Sequence, residues 1–298
     1  MIAEAAARTT AYSRTHRKRI LNRTQTSTVL RALAMALYTV VCVFPFYWMF
    51  ITTFKTNSDL YTLQNNPLWF NEPPTLEHIV YLFTKTMFGQ WMVNSVWIGF
   101  WVVVITLLIS APAGYALARL DLPGAQQLGI ALFATYLVPP TLLFIPLTRV
   151  VHTLNLQNTT GSLIWILPTI SIPFSVWLLM GFFKNVPREI EEAALVDGAS
   201  RPRAVWSVVL PISRAGLAAA GMFAFAISLQ AFLYPLVFTS STPVKPVTLG
   251  VVTDLIRGDI FYWGELMAGA LIAGLPVAIL FNVFLNDFVE GITGGAFK

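Results

Sequence analysis

Charge is what this sequence has least of. Only 11% of its 298 residues are Asp, Glu, Lys or Arg, against roughly 25% in soluble domains. With 56% hydrophobic residues and a mean hydropathy of +0.68, the chain cannot cover itself with polar side chains in water, and no stretch is left for a large soluble domain. Cysteine is nearly absent as well. Cys42 stands alone in an apolar run, which excludes a disulfide framework or a thiolate metal site and reads as a small buried hydrophobe. The three histidines, His16, His78 and His152, fall in separate segments without an i, i+4 partner, so no metal site is expected. The Gly-x-x-x-x-Gly-Lys-Ser/Thr run of phosphate-binding loops does not occur, so this chain is expected to bind no nucleotide itself.

What is present is a series of long apolar runs. Windows near 30–53, 92–118, 127–148, 161–183, 209–238 and 266–286 each reach the roughly 20 residues needed to cross a bilayer, and predict six transmembrane helices. The first run is too long for the apolar core of a signal peptide and has no Ala-x-Ala pattern after it, so it is expected to stay attached. The net charge of +5 does not point to nucleic acid. Seven of the 19 basic residues, Arg8, Arg14, Arg17, Lys18, Arg19, Arg23 and Arg31, crowd the N-terminal end, so residues 1–29 read as a basic tail beside an anionic leaflet and 30–298 as the membrane domain. Placing both termini in the cytoplasm adds Arg119, Lys184, Arg188, Arg201, Arg203, Arg214 and Lys298 to that side and leaves Lys55, Lys85, Arg149, Lys245 and Arg257 outside. Fourteen against five agrees with the positive-inside rule. Segments 55–90 and 239–264 then become external connections, open to an outside partner or plain loops.

Ten of the 18 prolines fall inside the predicted spans: Pro45, Pro112, Pro139, Pro140, Pro146, Pro168, Pro173, Pro211, Pro235 and Pro276. Each removes a backbone donor and kinks or breaks its helix, a departure that suits a transporter, although proline is also commoner in membrane helices than in soluble ones. The spans contain no Asp, Glu, Lys or Arg at depth; Arg31, Arg214 and Glu265 lie near span ends. An ion- or proton-coupled carrier needs such groups, so energy is expected from elsewhere. Polar residues at mid-membrane depth are Asn94, Ser95, Tyr136, Gln230 and Tyr234, the last two spaced i, i+4 on one predicted helix face. They either line a path for a polar, uncharged solute or pack helices together.

The acids concentrate between spans four and five. Pro187 suits a first helical turn, Glu189, Glu191 and Glu192 favour the positive N-terminal end of that helix, Asp197 and Gly198 stop it, and Ser200 is placed to cap a second helix leading into span five. Ile190, Ala193, Ala194 and Asp197 fall on one face, with Glu192 beside them. Small residues and an acid suit docking into a cleft where a carboxylate meets an arginine; the other reading, a helix lying on headgroups, is opposed by the acids at its start.

Here the spacing resembles a known family. Glu192-Ala193-Ala194, three residues, Gly198, nine residues, then Val208-x-Leu210-Pro211 is similar to the EAA loop of membrane subunits of binding-protein-dependent ABC importers. Trp263-Gly264, Met267, Ala270, Pro276 and the Gly291 to Lys298 ending resemble the sugar-importer branch, most of all the MalG-like partner of the maltose-type pair. The resemblance implies an all-α integral membrane protein of the type I importer permease fold, without catalytic residues or a cofactor of its own, in the bacterial inner membrane. It further implies a second homologous permease, two cytoplasmic ATP-binding subunits that use ATP and magnesium, and an extracytoplasmic solute-binding protein. Within 187–207 the resemblance makes Glu189, Glu191, Glu192, Ala193, Ala194, Asp197, Gly198 and Arg201 the ATPase-coupling residues. The implied cargo is a sugar, oligosaccharide or sugar derivative, with an anionic solute such as a glycerol phosphate as the alternative.

Overall fold

The computed structural model describes the backbone of residues 2–257 and 260–293, and side chains for 28–256 and 261–285. The side chains of the basic tail and of the family-like C-terminal ending lie outside these ranges. The chain folds as α1 (Ile2–Phe54), α2 (Asn57–Tyr61), α3 (Glu77–Lys85), α4 (Phe88–Arg119), α5 (Ala125–Tyr136), α6 (Pro140–Thr153), α7 (Thr160–Ile166), α8 (Pro168–Asn185) and α9 (Arg188–Val196). There follow α10 (Arg201–Ala204), a π-helical turn over Val205–Val209, α11 (Leu210–Ile212), α12 (Arg214–Gln230), α13 (Leu233–Phe238), α14 (Val247–Leu255) and α15 (Trp263–Thr293). The expected all-α chain carries one exception, a hairpin of two-residue strands, β1 (Ile256–Arg257) and β2 (Ile260–Phe261), paired antiparallel.

Four stretches are long and apolar enough to cross a membrane without a sharp bend: Thr28–Phe54, Phe88–Arg119, Thr160–Asn185 (α7 and α8 together) and Trp263–Leu285. The windows expected at 127–148 and 209–238 are not straight spans. Between α5 and α6 the axis turns by 92°, and between Arg201–Ile212 and Arg214–Gln230 by 79°. Proline accounts for both places. Pro139 and Pro140 remove two successive donors and force the residue before each out of the helical region. Pro211 cannot bond back one turn, and the helix ahead of it widens into the π turn, whose next amide, that of Leu210, bonds the Val205 carbonyl. A further break follows Gln230, where Ala231 is extended with ψ 125°; a continued helix would press the Pro235 ring on the Ala231 carbonyl. Pro45, Pro112, Pro146, Pro173 and Pro276 stay inside helices, so proline alone does not mark the breaks.

The packing centre is α4. Its Gly114 lets α8 come so close that an added Cβ would lie 3.1 Å from Leu179 Cβ, the close approach small residues allow between membrane helices. Thr106 and Ser171 share a buried hydroxyl hydrogen bond of 2.7 Å across the same seam. Ile98 and Val102 of α4 join Leu163, Ile166, Leu167, Tyr234 and Phe238 in one buried cluster. In contrast, every side chain of α1 from Thr28 to Phe46 is exposed, including Cys42, which was expected to be buried but lies on the uncovered part of the helix. Helix α1 packs on α15 and α3, and Ile51, Thr52 and Thr53 near its C-terminal end are buried.

The segment 239–264, expected outside the membrane, is more than a connection. Its α14 buries Val247, Leu249 and Leu255, and Gly250 sits against the Trp91 ring, 2.2 Å from where a Cβ would stand. On the same side His78 is fully buried across Gly264, with Nε2 2.8 Å from the Lys55 carbonyl and Nδ1 3.2 Å from Glu265 Oε1. Burial pushes the imidazole down, but the bond and charge of Glu265, with the Lys55 carbonyl and Glu77, outweigh it and leave its pKa raised above 6.5. Nε2 meets the Lys55 carbonyl, and Nδ1 lies beside the Glu265 carboxylate. A raised folded-state value gives stability that is complete below the ordinary histidine range and is lost as pH climbs through the raised value. The unfolding midpoint of detergent-purified protein is therefore expected to be higher at pH 6 than at pH 9. His78→Gln is expected to flatten that profile; an unchanged slope would remove His78 as its source.

Candidate functional site

The acidic loop forms the short helix its sequence predicts, with small shifts. Pro187 occupies the N-cap rather than the first turn. Glu189 and Glu191 lie in the first turn, where carboxylates meet the positive helix end. The C-terminus closes through paired bonds, Ala199 N to Ala194 O at 3.0 Å and Gly198 N to Leu195 O at 3.0 Å, with Gly198 left-handed at φ 88°. This is the Schellman arrangement, and it needs glycine at that position. Ser200 takes the N-cap of α10, but its side chain makes no capping bond.

The acids are then divided by helix phase. Glu191 is buried; it accepts a hydrogen bond from Tyr115 Oη, and its Oε2 lies 3.8 Å from Arg119 Nε. Arg119 also donates through Nη2 to the carbonyl of Val186, just ahead of the helix. Tyr115 and Arg119 stand one turn apart at the end of α4, so this clasp fixes α9 to the central helix. Glu192, the next residue, is not part of it and is exposed, as are Glu189, Ile190, Ala193, Asp197, Gly198 and Arg201, while Ala194 is half-buried. A polar cleft of about 400 Å³ opens beside the clasp between Asp121, Arg188, Glu192 and Arg201. Arg188 and Asp121 pair at 3.2 Å in solvent, which adds little. Tyr115 was missed as a site residue and Arg119 was read only as a cytoplasmic charge. Their i, i+4 spacing at the end of a span was the available signal.

The five mid-membrane residues do not converge. Asn94 donates to the carbonyls of Pro243 at 2.7 Å and Lys245 at 3.0 Å and accepts from Gln90, while Ser95 Oγ accepts from Val247 N at 2.8 Å. Both are thereby tied to holding the segment ahead of α14. Gln230 and Tyr234 do not share a helix face, because the break after Gln230 separates them. Tyr234 is buried and donates to the Pro140 carbonyl at 2.8 Å; Gln230 is exposed on a groove of about 450 Å³ with Thr248, Gly269 and Gly274. Tyr136 joins an aromatic group with Phe174 at 5.7 Å and Phe223 at 6.0 Å. Among the described residues no group of three His, Cys, Asp or Glu can hold a metal ion.

This arrangement can be compared with known proteins. The sequence pattern of the family described as binding-protein-dependent transport system inner membrane component matches residues 110–292. The chain is 32% identical to the sulfoquinovosyl glycerol transport system permease protein of Agrobacterium fabrum, over 90% of this chain and 93% of the relative. It is 29% identical to the trehalose/maltose transport system permease protein of Thermococcus litoralis, over 91% and 96%. In fold it is similar to a chain of a bacterial ABC transporter that imports the acidic polysaccharide alginate, with a TM-score of 0.77 at 16% identity over 89% of this chain and 97% of the other.

Removing one partner of a buried ion pair strands the other, at a cost of about 3–5 kcal/mol. Arg119→Ala and Glu191→Ala are each expected to destabilise the purified protein by this order. The double variant is expected to fall short of the sum by about 1–3 kcal/mol; a strictly additive result would show that the two side chains do not act as a pair.

Proposed function

On the premise that this chain belongs to the binding-protein-dependent transport system inner membrane component family, we propose that it takes energy for solute import at α9 and passes it to α4 through Tyr115, Arg119 and Glu191. Members of the family are non-catalytic components of the inner membrane, and this chain is the permease subunit of an ABC importer. Its cargo is a sugar, oligosaccharide or sugar derivative, the class named for the two sequence relatives. A glycerol phosphate is not favoured by either.

In this reading each bent pair counts as one span, giving six within 30–298, with both termini in the cytoplasm. The supporting observation is the division of the acids: Glu191 turned inward onto α4, and Glu192 left exposed with Ala193 and Ile190. Two cytoplasmic ATPase subunits dock on the outward face of 187–207, one on this chain and one on a second homologous permease. They hold ATP and magnesium, and this chain holds neither. When they close on ATP, α9 is displaced and the clasp draws the end of α4 with it. The helices then exchange an inward-facing for an outward-facing arrangement, a two-state change driven by a ligand that prefers one state. An extracytoplasmic binding protein delivers the solute on the opposite side. The ion-coupled alternative is opposed by the apolar spans, whose charged residues stay near their ends.

Reversing the exposed charge while sparing the clasp separates docking from folding. Glu192→Lys is expected to reduce uptake by the reconstituted four-subunit transporter by at least tenfold with normal amounts of the chain in the membrane; full uptake would remove Glu192 from the coupling surface. Gln230→Ala, at the mouth of the groove, is expected to change the apparent affinity for solute severalfold while ATP hydrolysis stays coupled. Unaltered transport kinetics would take Gln230 off the pathway.

A further inference from the structure

The loop between α1 and α3 folds around buried charge. Its centre is ionic: Asp59 and Lys55 are both buried and pair at 3.3 Å. Asp59 accepts from Asn65 Nδ2 at 3.0 Å and from Asn71 through N at 2.9 Å and Nδ2 at 2.7 Å, while Lys55 Nζ donates to the Asn66 carbonyl at 2.7 Å. Burial would raise the Asp59 carboxyl, but these donors and the lysine outweigh it and hold it down to about 2. Its outside is mixed: Trp69 is 59% exposed, with Leu63, Leu68 and Tyr61 also open, beside exposed polar side chains at Asn57, Ser58, Thr62 and Gln64. Apolar and amphipathic groups turned outward beside polar ones suit the boundary between water and lipid, where both are accommodated.

A second observation fixes where those side chains lie. Tyr47 Oη donates to the Leu68 carbonyl. Tyr47 precedes the end of α1 by two helical turns, so the loop folds back by about 10 Å along that helix. It returns beside α1, where Phe46 and Phe50, one turn apart on a shared face, are both exposed. The other side of the loop continues the band, since Tyr61 Oη donates to the Phe261 carbonyl at 3.0 Å and Phe261 stacks on Trp263 at 5.3 Å, both rings exposed. Tyrosine and tryptophan at one level around a membrane protein are the composition of the interfacial belt.

We propose that the loop carrying Leu68 and Trp69 is a membrane anchor, seated in the boundary between headgroups and acyl chains of the outer leaflet. The ionic centre lets it sit there, the Tyr47 bond sets its depth, and the partner it takes is phospholipid. The placement rests on α1 crossing the membrane with its C-terminal end outside; it does not depend on what is carried. A protein partner docking from above would meet the top of α1 rather than a surface two turns below it.

The test places benzoylphenylalanine at position 69, and separately at 68, in the complete transporter in native membranes, with position 196 on α9 as the control. After irradiation the purified chain is weighed by mass spectrometry. The expected result is a phospholipid-sized increment at 68 and 69 and none at 196, with uptake retained. Crosslinking of both positions to the second permease or to the external binding protein overturns the proposal. So does the absence of any adduct, which would place both side chains in water. Because uptake is measured on the same samples, loss of the anchor is distinguishable from failure of the transport reading.

Discussion

Backbone carbonyls at or outside helix ends need partners, and in this chain several are met by donors from distant parts of the sequence. Thr248 of α14 donates to the Ala231 carbonyl at the break after α12, and Tyr234 to Pro140 at the head of α6. Trp91 donates to Thr242, and Asn94 to Pro243 and Lys245. With Arg119 on Val186, these bonds are also the ties between elements that are otherwise joined by apolar contact. In lipid, apolar contact gives little preference for one helix neighbour over another, because the solvent is equally apolar. The broken turns therefore help decide which segments meet.

Much of this plan was legible in the sequence. Four of the six apolar runs became spans without a sharp bend, three as single helices and one as α7 and α8 in line, although each contains proline. The acidic helix was placed within a residue at each end, since Pro187 and Gly198 act through local backbone chemistry. Breaks were expected at every proline in the spans, but which prolines would bend the chain was not legible, because hydropathy is the same on both sides of Ser213 and Pro139. Pro112 and Pro276, in equivalent apolar surroundings, break nothing. The outcome depends on whether a neighbouring segment offers a donor, which is a property of the fold. Helix α14 was hidden for another reason: nine residues inside a proline-flanked connection make too short a run to register as periodic.

The candidate site shows the same boundary between local and distant information. That Glu191 and Glu192 differ in role follows from a rotation of 100° per residue, yet which of them faces inward depends on where α4 ends. Asn94 and Ser95 were recognisable as polar groups in an apolar span, but their partners lie some 150 residues on. One consequence is that α4 carries polar attachments at both ends: the segment ahead of α14 at one, the clasp on α9 at the other. A 32-residue helix, about 48 Å long, thus touches both faces of the membrane as a single piece.

The isolation of α1 bears on how the protein is made. From Thr28 to Phe46 it shows only side chains without cover, and its principal neighbour α15 is the last helix of the chain. At synthesis rates of about 5–20 residues per second, α1 leaves the ribosome on the order of ten to forty seconds before α15 exists. During that interval it must be a stable resident of the bilayer by its own hydrophobicity. Its even, proline-tolerant apolar surface is thus as much a requirement of birth as of the finished structure: the first helix has to wait, alone and correctly oriented, for the last.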